Sequence, residues 1–302
     1  MMLPTPVVDV LANLRQIFRS RNTHRRVLSA TNLKEFKPGD YCPRGTILFV
    51  LATGRSILEL KPEDWKHIRN GDSIALNLFL HSPFLPDVYL FEHIPDQEVR
   101  GQWLDKLPAY SGVLPSLALL PSYCLERIRS NSGMQEMLPA MRKVFGERLK
   151  LVPVLFARHR SLAMLGFSRW LNRRFWQDGL YHLRGSLSSA VDFGLKHGFS
   201  EIVLCGVDLN EKGYFYGPRK EKTTPEQDPD VAPVHYTDQA VSGLIPISAW
   251  LREIASREGH VRFWCSSASS TLARWMPVYP WPSGQSAPDD RNDPATPSEE
   301  TS

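Results

Sequence analysis

Cysteine is scarce and scattered in this chain. Four residues, Cys42, Cys124, Cys205 and Cys265, stand far apart among 302, and none forms a CxxC pair. That spacing disfavours a disulfide framework or a zinc ribbon and fits a reducing compartment. An excess of one charge is missing too: 36 Lys and Arg against 32 Asp and Glu leave only +4. A chain that grips nucleic acid through its phosphates concentrates far more positive charge, so no nucleic-acid partner is expected. No run approaches the roughly 18 apolar residues of a spanning helix. Asp9, Asn13 and Arg15 interrupt the N-terminus where a secretory signal would be continuously apolar. The reading is a soluble or peripheral intracellular protein.

Several chemical signatures are absent as well. There is no H-E-x-x-H, no GxSxG elbow, no GxGxxG fingerprint and no GxxxxGK[ST] loop. Nor does any predicted strand end in the Asp-x-Asp that would hold a divalent ion against a diphosphate. Neither a metal, a dinucleotide cofactor nor a P-loop triphosphate is expected.

What is present suits one large domain with tails, since 42% of the residues are hydrophobic. Residues 1–40 form a basic N-terminal segment. Within it Val7, Leu11, Leu14 and Phe18 recur at helical spacing, with Arg15, Arg19, Arg21, Arg25 and Arg26 beside or beyond them. Such a helix either lies on an anionic membrane or packs on the domain as an ordinary surface helix. Residues 281–302, rich in Pro, Ser, Thr, Asp and Glu, carry too little apolar surface to offset their ordering entropy and read as a disordered tail.

The domain between, residues 41–280, alternates strands and helices. Thr46–Leu51, Ser73–Asn77, Val88–Phe91, Leu151–Phe156, Glu201–Cys205 and Val261–Cys265 read as strands. Ile57–Ile68, Ser186–His197 and Gln239–Glu258 read as helices, with Gly198 ending the second. Short unalternating apolar strands between helices mean an α/β fold with a mostly parallel sheet, whose ligands sit beyond the carboxyl ends of the strands. The places to look are therefore Thr53–Ser56, Asn77, Glu92, Gly206–Asn210 and Cys265–Ser269. Residues 211–234 are a long polar loop rich in Pro and Gly, with Tyr214 and Tyr216 at its start and His235 just past its end. Loops of that length are usually lids or disordered segments.

The turn Thr53-Gly54-Arg55-Ser56 offers the free N–H groups of a helix start to a phosphate, although any strand-to-helix turn favours these residues. Ser186, after Gly185, is either a helix N-cap or a ligand contact. His235, at a loop-to-helix junction with Thr237 and Asp238 placed to open the helix, is a candidate general base.

Taken in order, these stretches resemble the bacterial sialyltransferases of glycosyltransferase family 42. The resemblance rests on Ala52–Leu58, where that family has a Gly-Asn-Gly-Pro-Ser-Leu type of turn, and on Ala75-Leu76-Asn77. It continues through Gly185-Ser186 and GLKHGFSEIVLCGVDLNEKGYFY, then His235-Tyr236-Thr237-Asp238 before a helix, and Cys265–Ser269. It spans roughly residues 46–270, and order and spacing carry it, since no single motif is specific.

What the resemblance implies is a Rossmann-like domain of GT-A-like variant and an inverting, metal-independent transfer from a CMP-activated sugar to a glycan or glycolipid acceptor. Gly54 and Ser56 would line the donor phosphate, Asn77 the ribose or cytosine, and Gly185 and Ser186 the donor. Thr53, Arg55, Glu92 and Asp208 complete the substrate-binding set. Tyr214 or Tyr216 would donate hydroxyls to the leaving phosphate, and His235 would take the acceptor proton. Neutral donors and a neutral base suit so crowded an anionic substrate. The setting would be surface-polysaccharide synthesis in the cytoplasm, peripheral on the inner membrane. The chain departs from the family at Thr53 and Glu92, where it has asparagines, at Arg55, where it has proline, and in a His motif shorter by two residues. A CMP-Kdo donor is thus an alternative sugar. Other readings are a pterin diphosphokinase-like enzyme and a non-catalytic nucleotide-binding module for envelope assembly.

Overall fold

The computed structural model describes residues 5–284 except 93, 95–96, 111–114, 127–131, 157–165, 167–169, 171–173, 175–177, 211–212, 217–236 and 239–244. Eight strands build one sheet: β1 Lys34–Glu35, β2 Ile47–Leu51, β3 Asp72–Leu76, β4 Val88–Leu90, β5 Leu117–Pro121, β6 Leu149–Val152, β9 Glu201–Cys205 and β10 Arg262–Cys265. Their spatial order is β1-β6-β5-β4-β3-β2-β9-β10 and every pairing is parallel. β7 Val154–Phe156 and β8 Leu180–His182 pair separately, also in parallel.

β2 sits between β3 and β9, with Val50 opposite both Ile74 and Leu204. Its residues Leu48 to Leu51 are at most 1% exposed, so the strand carries no polar alternation because neither face meets water. Leu48 and Val50 point into one core with Ile202, Phe193 and Trp250, while Phe49 and Leu51 point into the other with Tyr89, Phe91 and Trp103. Helix α6, Ser186–Lys196, lies so close to the first face that a Cβ on Gly194 would stand 2.8 Å from Leu48 Cδ2. Helix α7, Ile247–Arg257, buries Trp250, Leu251 and Ile254 in the same core.

Several boundaries differ from the sequence reading. The run Leu151–Phe156 is two strands in two sheets, β6 and β7, divided at Pro153, which has no N–H to donate to a ladder. The single helix expected over Ile57–Ile68 is a tight turn at Arg55–Glu59 followed by helix α2, Pro62–Asn70. Pro62 opens α2, and the Lys61 N–H donates to Asp64 Oδ2 at 2.9 Å. β5 was not foreseen, nor were helices α3, Gln97–Lys106, and α5, Ser132–Phe145. Of the final helix expected from Gln239, the described part begins at Ile247.

Helix α1 runs from Thr5 to Thr31 and packs against β7 and the short helix α4, Ser122–Glu126. The face turned to the domain is Ile17, Ser20, Thr23, His24 and Val27, with Leu14 at its margin. The expected apolar stripe therefore divides, since Leu11 and Phe18 face solvent. At the other end Trp281 is buried, its indole N–H donating to the Ser266 carbonyl at 2.8 Å. The Ser283 hydroxyl donates to Asp64 Oδ2 at 2.9 Å. The packed chain thus continues past the boundary expected at residue 281, and residues 285–302 lie outside the described ones. Among the described residues no helix is long and apolar enough to cross a membrane.

Candidate functional site

From β2 the strand order runs through β3 and β4 on one side and through β9 and β10 on the other, so β2/β9 is a topological switch point. A crevice opens there beyond the strand ends, where doubly wound sheets bind their ligands. Its floor is Ala52–Gly54 after β2, Leu76–Leu78 after β3, Glu92 after β4 and Gly206–Asn210 after β9. Gly185 and Ser186 at the start of α6 form a second wall, with Tyr214, Tyr216 and Thr237 above. Of the residues singled out from sequence, Thr53, Gly54, Asn77, Glu92, Gly185, Ser186, Asp208, Tyr214 and Tyr216 all line it.

Two backbone bonds hold the β2 and β9 ends together beneath the crevice, Ala52 N–H to the Cys205 carbonyl and Gly54 N–H to the Gly206 carbonyl, each 2.8 Å. Gly54 has no room for a side chain: a Cβ would stand 2.5 Å from the Gly206 oxygen and 2.6 Å from Asp208 Oδ2. Gly206 adopts φ +67, the left-handed region that glycine enters without cost. Asp208 then accepts the Ser56 N–H at 3.0 Å and the Ser56 hydroxyl. The N–H expected to face a phosphate is thus taken by the protein's own carboxylate. Ser56 is buried beneath the crevice, outside its lining. Arg55 likewise lies outside the lining, its guanidinium 3.5 Å from the Tyr214 carbonyl.

Asn77 and Ser186 come from separate elements and meet. The Ser186 hydroxyl lies 3.1 Å from Asn77 Oδ1 and 3.0 Å from Glu92 Oε2, and its one proton serves one acceptor at a time. Ser186 is the first residue of α6, Gly185 being the N-cap, and its hydroxyl turns into the crevice. Ser188 engages the loop before the helix instead, accepting from Leu183 N–H at 2.7 Å and donating to the Gly185 carbonyl at 2.8 Å. Asn77 itself sits at φ +51, with its carbonyl accepting from the Tyr89 hydroxyl. Arg184 at φ +59 and Leu209 at φ +53 flank the same crevice. Three of the four described non-glycine residues with positive φ therefore surround it, the clustering expected where backbone strain serves a site.

Behind Glu92 stands His182, which sequence reasoning missed. Its Nε2 is 4.0 Å from Glu92 Oε1, and its Nδ1 is 3.1 Å from the Ser189 hydroxyl. Burial holds its pKa below the ordinary 6.5, against the pull of Glu92 in the other direction. The Tyr123 hydroxyl donates to Glu92 Oε1 at 3.5 Å. A lone histidine in Leu-Tyr-His-Leu carries no signal by itself, since only the fold brings β8 beside the end of β4.

The start of the long loop is pinned to the turn: Phe215 N–H donates to the Thr53 carbonyl at 3.0 Å, and Phe215 packs on Phe79. This fixes Tyr214 and Tyr216, whose rings stack 5.3 Å apart at 3°, with Tyr216 stacked in turn on His81 at 4.6 Å. Burial raises both phenol pKa values, with Glu92 adding to that of Tyr214 and Tyr214 to that of Tyr216, so both remain O–H donors at neutral pH. His235 and most of the loop 211–234 lie outside the described residues. Thr237, two positions further along the chain, lines the crevice, and its Cγ2 is the atom closest to the Cβ position of Gly185, at 3.8 Å. Asp238 accepts the Ser248 N–H at 2.8 Å and so caps α7 across the intervening segment.

Cys265–Ser269 does not join the crevice lining. Ser267 and Ser269 both donate to the Glu59 carboxylate, the latter at 2.6 Å, and Cys265 is buried. Among the described residues no group of three or more His, Cys, Asp or Glu is gathered as a metal site.

No protein-family model matches the chain, and no curated protein matches its sequence. Among solved structures it is similar to the monofunctional alpha-2,3-sialyltransferase Cst-I from Campylobacter jejuni, at 16% identity and TM-score 0.41, over 77% of this chain and 80% of that one. It is also similar to the sialyltransferase CST-II in complex with trisaccharide acceptor and CMP, at 12% identity and TM-score 0.41, over 77% and 85% of the two chains. CstII from Campylobacter jejuni in complex with CMP-3FNeuAc follows, at 12% identity and TM-score 0.39, over 77% and 84%.

Proposed function

We propose that this chain is an inverting, metal-independent glycosyltransferase that moves a sialic-acid-like ulosonic acid from a CMP-sugar to a glycan or glycolipid acceptor in bacterial surface-polysaccharide synthesis. The observation that carries the proposal is the meeting of Asn77 and Ser186, 3.1 Å apart in a crevice at the switch point. The family 42 resemblance assigns the donor to these two positions, 109 residues apart in sequence. Around them the described lining combines hydroxyls and backbone N–H groups with two amides, Asn77 and Asn210, and two carboxylates, Glu92 and Asp208, and holds no lysine or arginine. Its hydroxyl and N–H donors are the groups that would stabilise a departing phosphate.

In this reading Tyr214 and Tyr216 donate to the leaving CMP phosphate, and their raised pKa values keep the protons on them. His235 takes the proton of the acceptor hydroxyl as it attacks the anomeric carbon from the face opposite CMP. Asp208 is held by the Ser56 N–H and hydroxyl, which fix its carboxylate at the turn. Glu92 is different. It places an acceptor where the family carries an amide, which favours a sugar that presents hydroxyl hydrogens there, and CMP-Kdo is the second reading on that account.

CMP should raise the melting temperature with EDTA present, and ATP with Mg²⁺ should not. The reverse pattern would overturn the donor assignment. CMP binding without CMP release from CMP-sialic acid or CMP-Kdo, with any glycan acceptor, would favour the non-catalytic module.

A further inference from the structure

The outward face of α1 remains unused by the crevice. At 100° per residue, Leu11, Arg15, Phe18, Arg19, Asn22, Arg25, Arg26 and Ser29 fall within one sector about 120° wide. All eight are exposed, Leu11 at 52% and Phe18 at 64%. The opposite sector holds Ile17, Ser20, Thr23, His24 and Val27, which are buried against the domain. The 27 residues of α1 include five arginines and one acid, Asp9.

We infer that this face docks the protein on an anionic lipid surface, with Leu11 and Phe18 entering the headgroup boundary and the arginines pairing with lipid phosphates. The mixture of groups selects the partner. Two large apolar side chains set among arginines suit an interface that is apolar beneath and anionic above. A nucleic-acid backbone would leave Leu11 and Phe18 unused, and a second copy of α1 would bring like charges together. Because the opposite face is already packed, α1 lies flat on the domain, and docking needs no rearrangement of the core. The inference is independent of the donor reading, since nothing in the crevice takes part.

The test uses the full chain with vesicles of phosphatidylcholine alone, or mixed with phosphatidylglycerol. The protein should sediment with the mixed vesicles and not with the neutral ones. The triple variant Arg15→Gln/Arg19→Gln/Arg25→Gln should lower the partition coefficient by about 10²-fold, at roughly fivefold per arginine. Phe18→Ser should lower it by about tenfold or more. Both variants alter exposed side chains, so melting temperature and CMP binding should match the wild type. Absence of wild-type sedimentation, equal binding to neutral vesicles, or variants that bind as the wild type does would each overturn the inference. So would concentration-dependent self-association lost in Phe18→Ser, or oligonucleotide binding lost in the arginine variant.

Discussion

At Gly54 a single hydrogen atom in place of a methyl group lets two strand ends and a carboxylate share one space. The missing Cβ leaves room for the Gly206 carbonyl and for Asp208, which then captures Ser56. Gly54→Ala must push backbone rather than a flexible side chain, so it should cost ~1–3 kcal/mol, the usual range for overpacking. Thermal unfolding should show the loss, and CMP binding should weaken with it because the β2 and β9 ends separate. An unchanged melting temperature would mean that the turn yields more easily than its contacts suggest. Ser186 differs from Gly54 in kind. Its hydroxyl serves the crevice rather than the helix, so Ser186→Ala should weaken CMP binding by about tenfold, the worth of one net hydrogen bond, with little change in stability. A large drop in stability with affinity intact would assign Ser186 to the fold alone.

At the scale of elements, the start of the long loop is tied to the turn after β2 by an isolated antiparallel bridge between Tyr214 and Gly54 and by the Phe215 N–H bonded to the Thr53 carbonyl. Tyr214 and Tyr216 are therefore held beside the turn after β2. Tyr214→Phe and Tyr216→Phe keep the stacked rings and remove only the hydroxyls. At least one should lower kcat across all pH values if the phenols stabilise the leaving phosphate. His235→Ala should instead lower kcat by roughly 10²–10⁴-fold, the scale of general-base catalysis, and abolish the acidic limb of the pH profile. Retained turnover with that limb intact would place the base elsewhere. The loop read as one polar stretch from residue 211 is thus two things at its start: a pinned tyrosine segment, and a continuation that reaches the crevice again at Thr237.

For the whole molecule, four histidines share one trait. Burial holds His24, His81, His182 and His197 below their ordinary pKa of 6.5. The unfolded chain takes up protons near that pH which the folded chain refuses, so stability is complete above it and declines as pH falls through it. The melting temperature should therefore drop between about pH 7.5 and 5.5, and His197→Gln should flatten the curve. A flat wild-type profile would contradict this burial. The sequence by itself determined the parallel α/β plan, because strands such as Ile47–Leu51 and Ile202–Cys205 run apolar without alternation only when helices cover both faces. It also located the turns after β2, β3 and β9, since ligands of such sheets gather at strand ends. Tertiary structure alone decided which of those ends converge. Strand order put β9 beside β2 and left Cys265–Ser269 outside the crevice. Pairing between carboxylate and serine turned Ser56 inward, and the approach of β8 to β4 set His182 behind Glu92. Helix α1 obeyed the same division. Its periodicity was legible, but which of its faces met the domain depended on the surface waiting for it, and that left Leu11 and Phe18 facing outward.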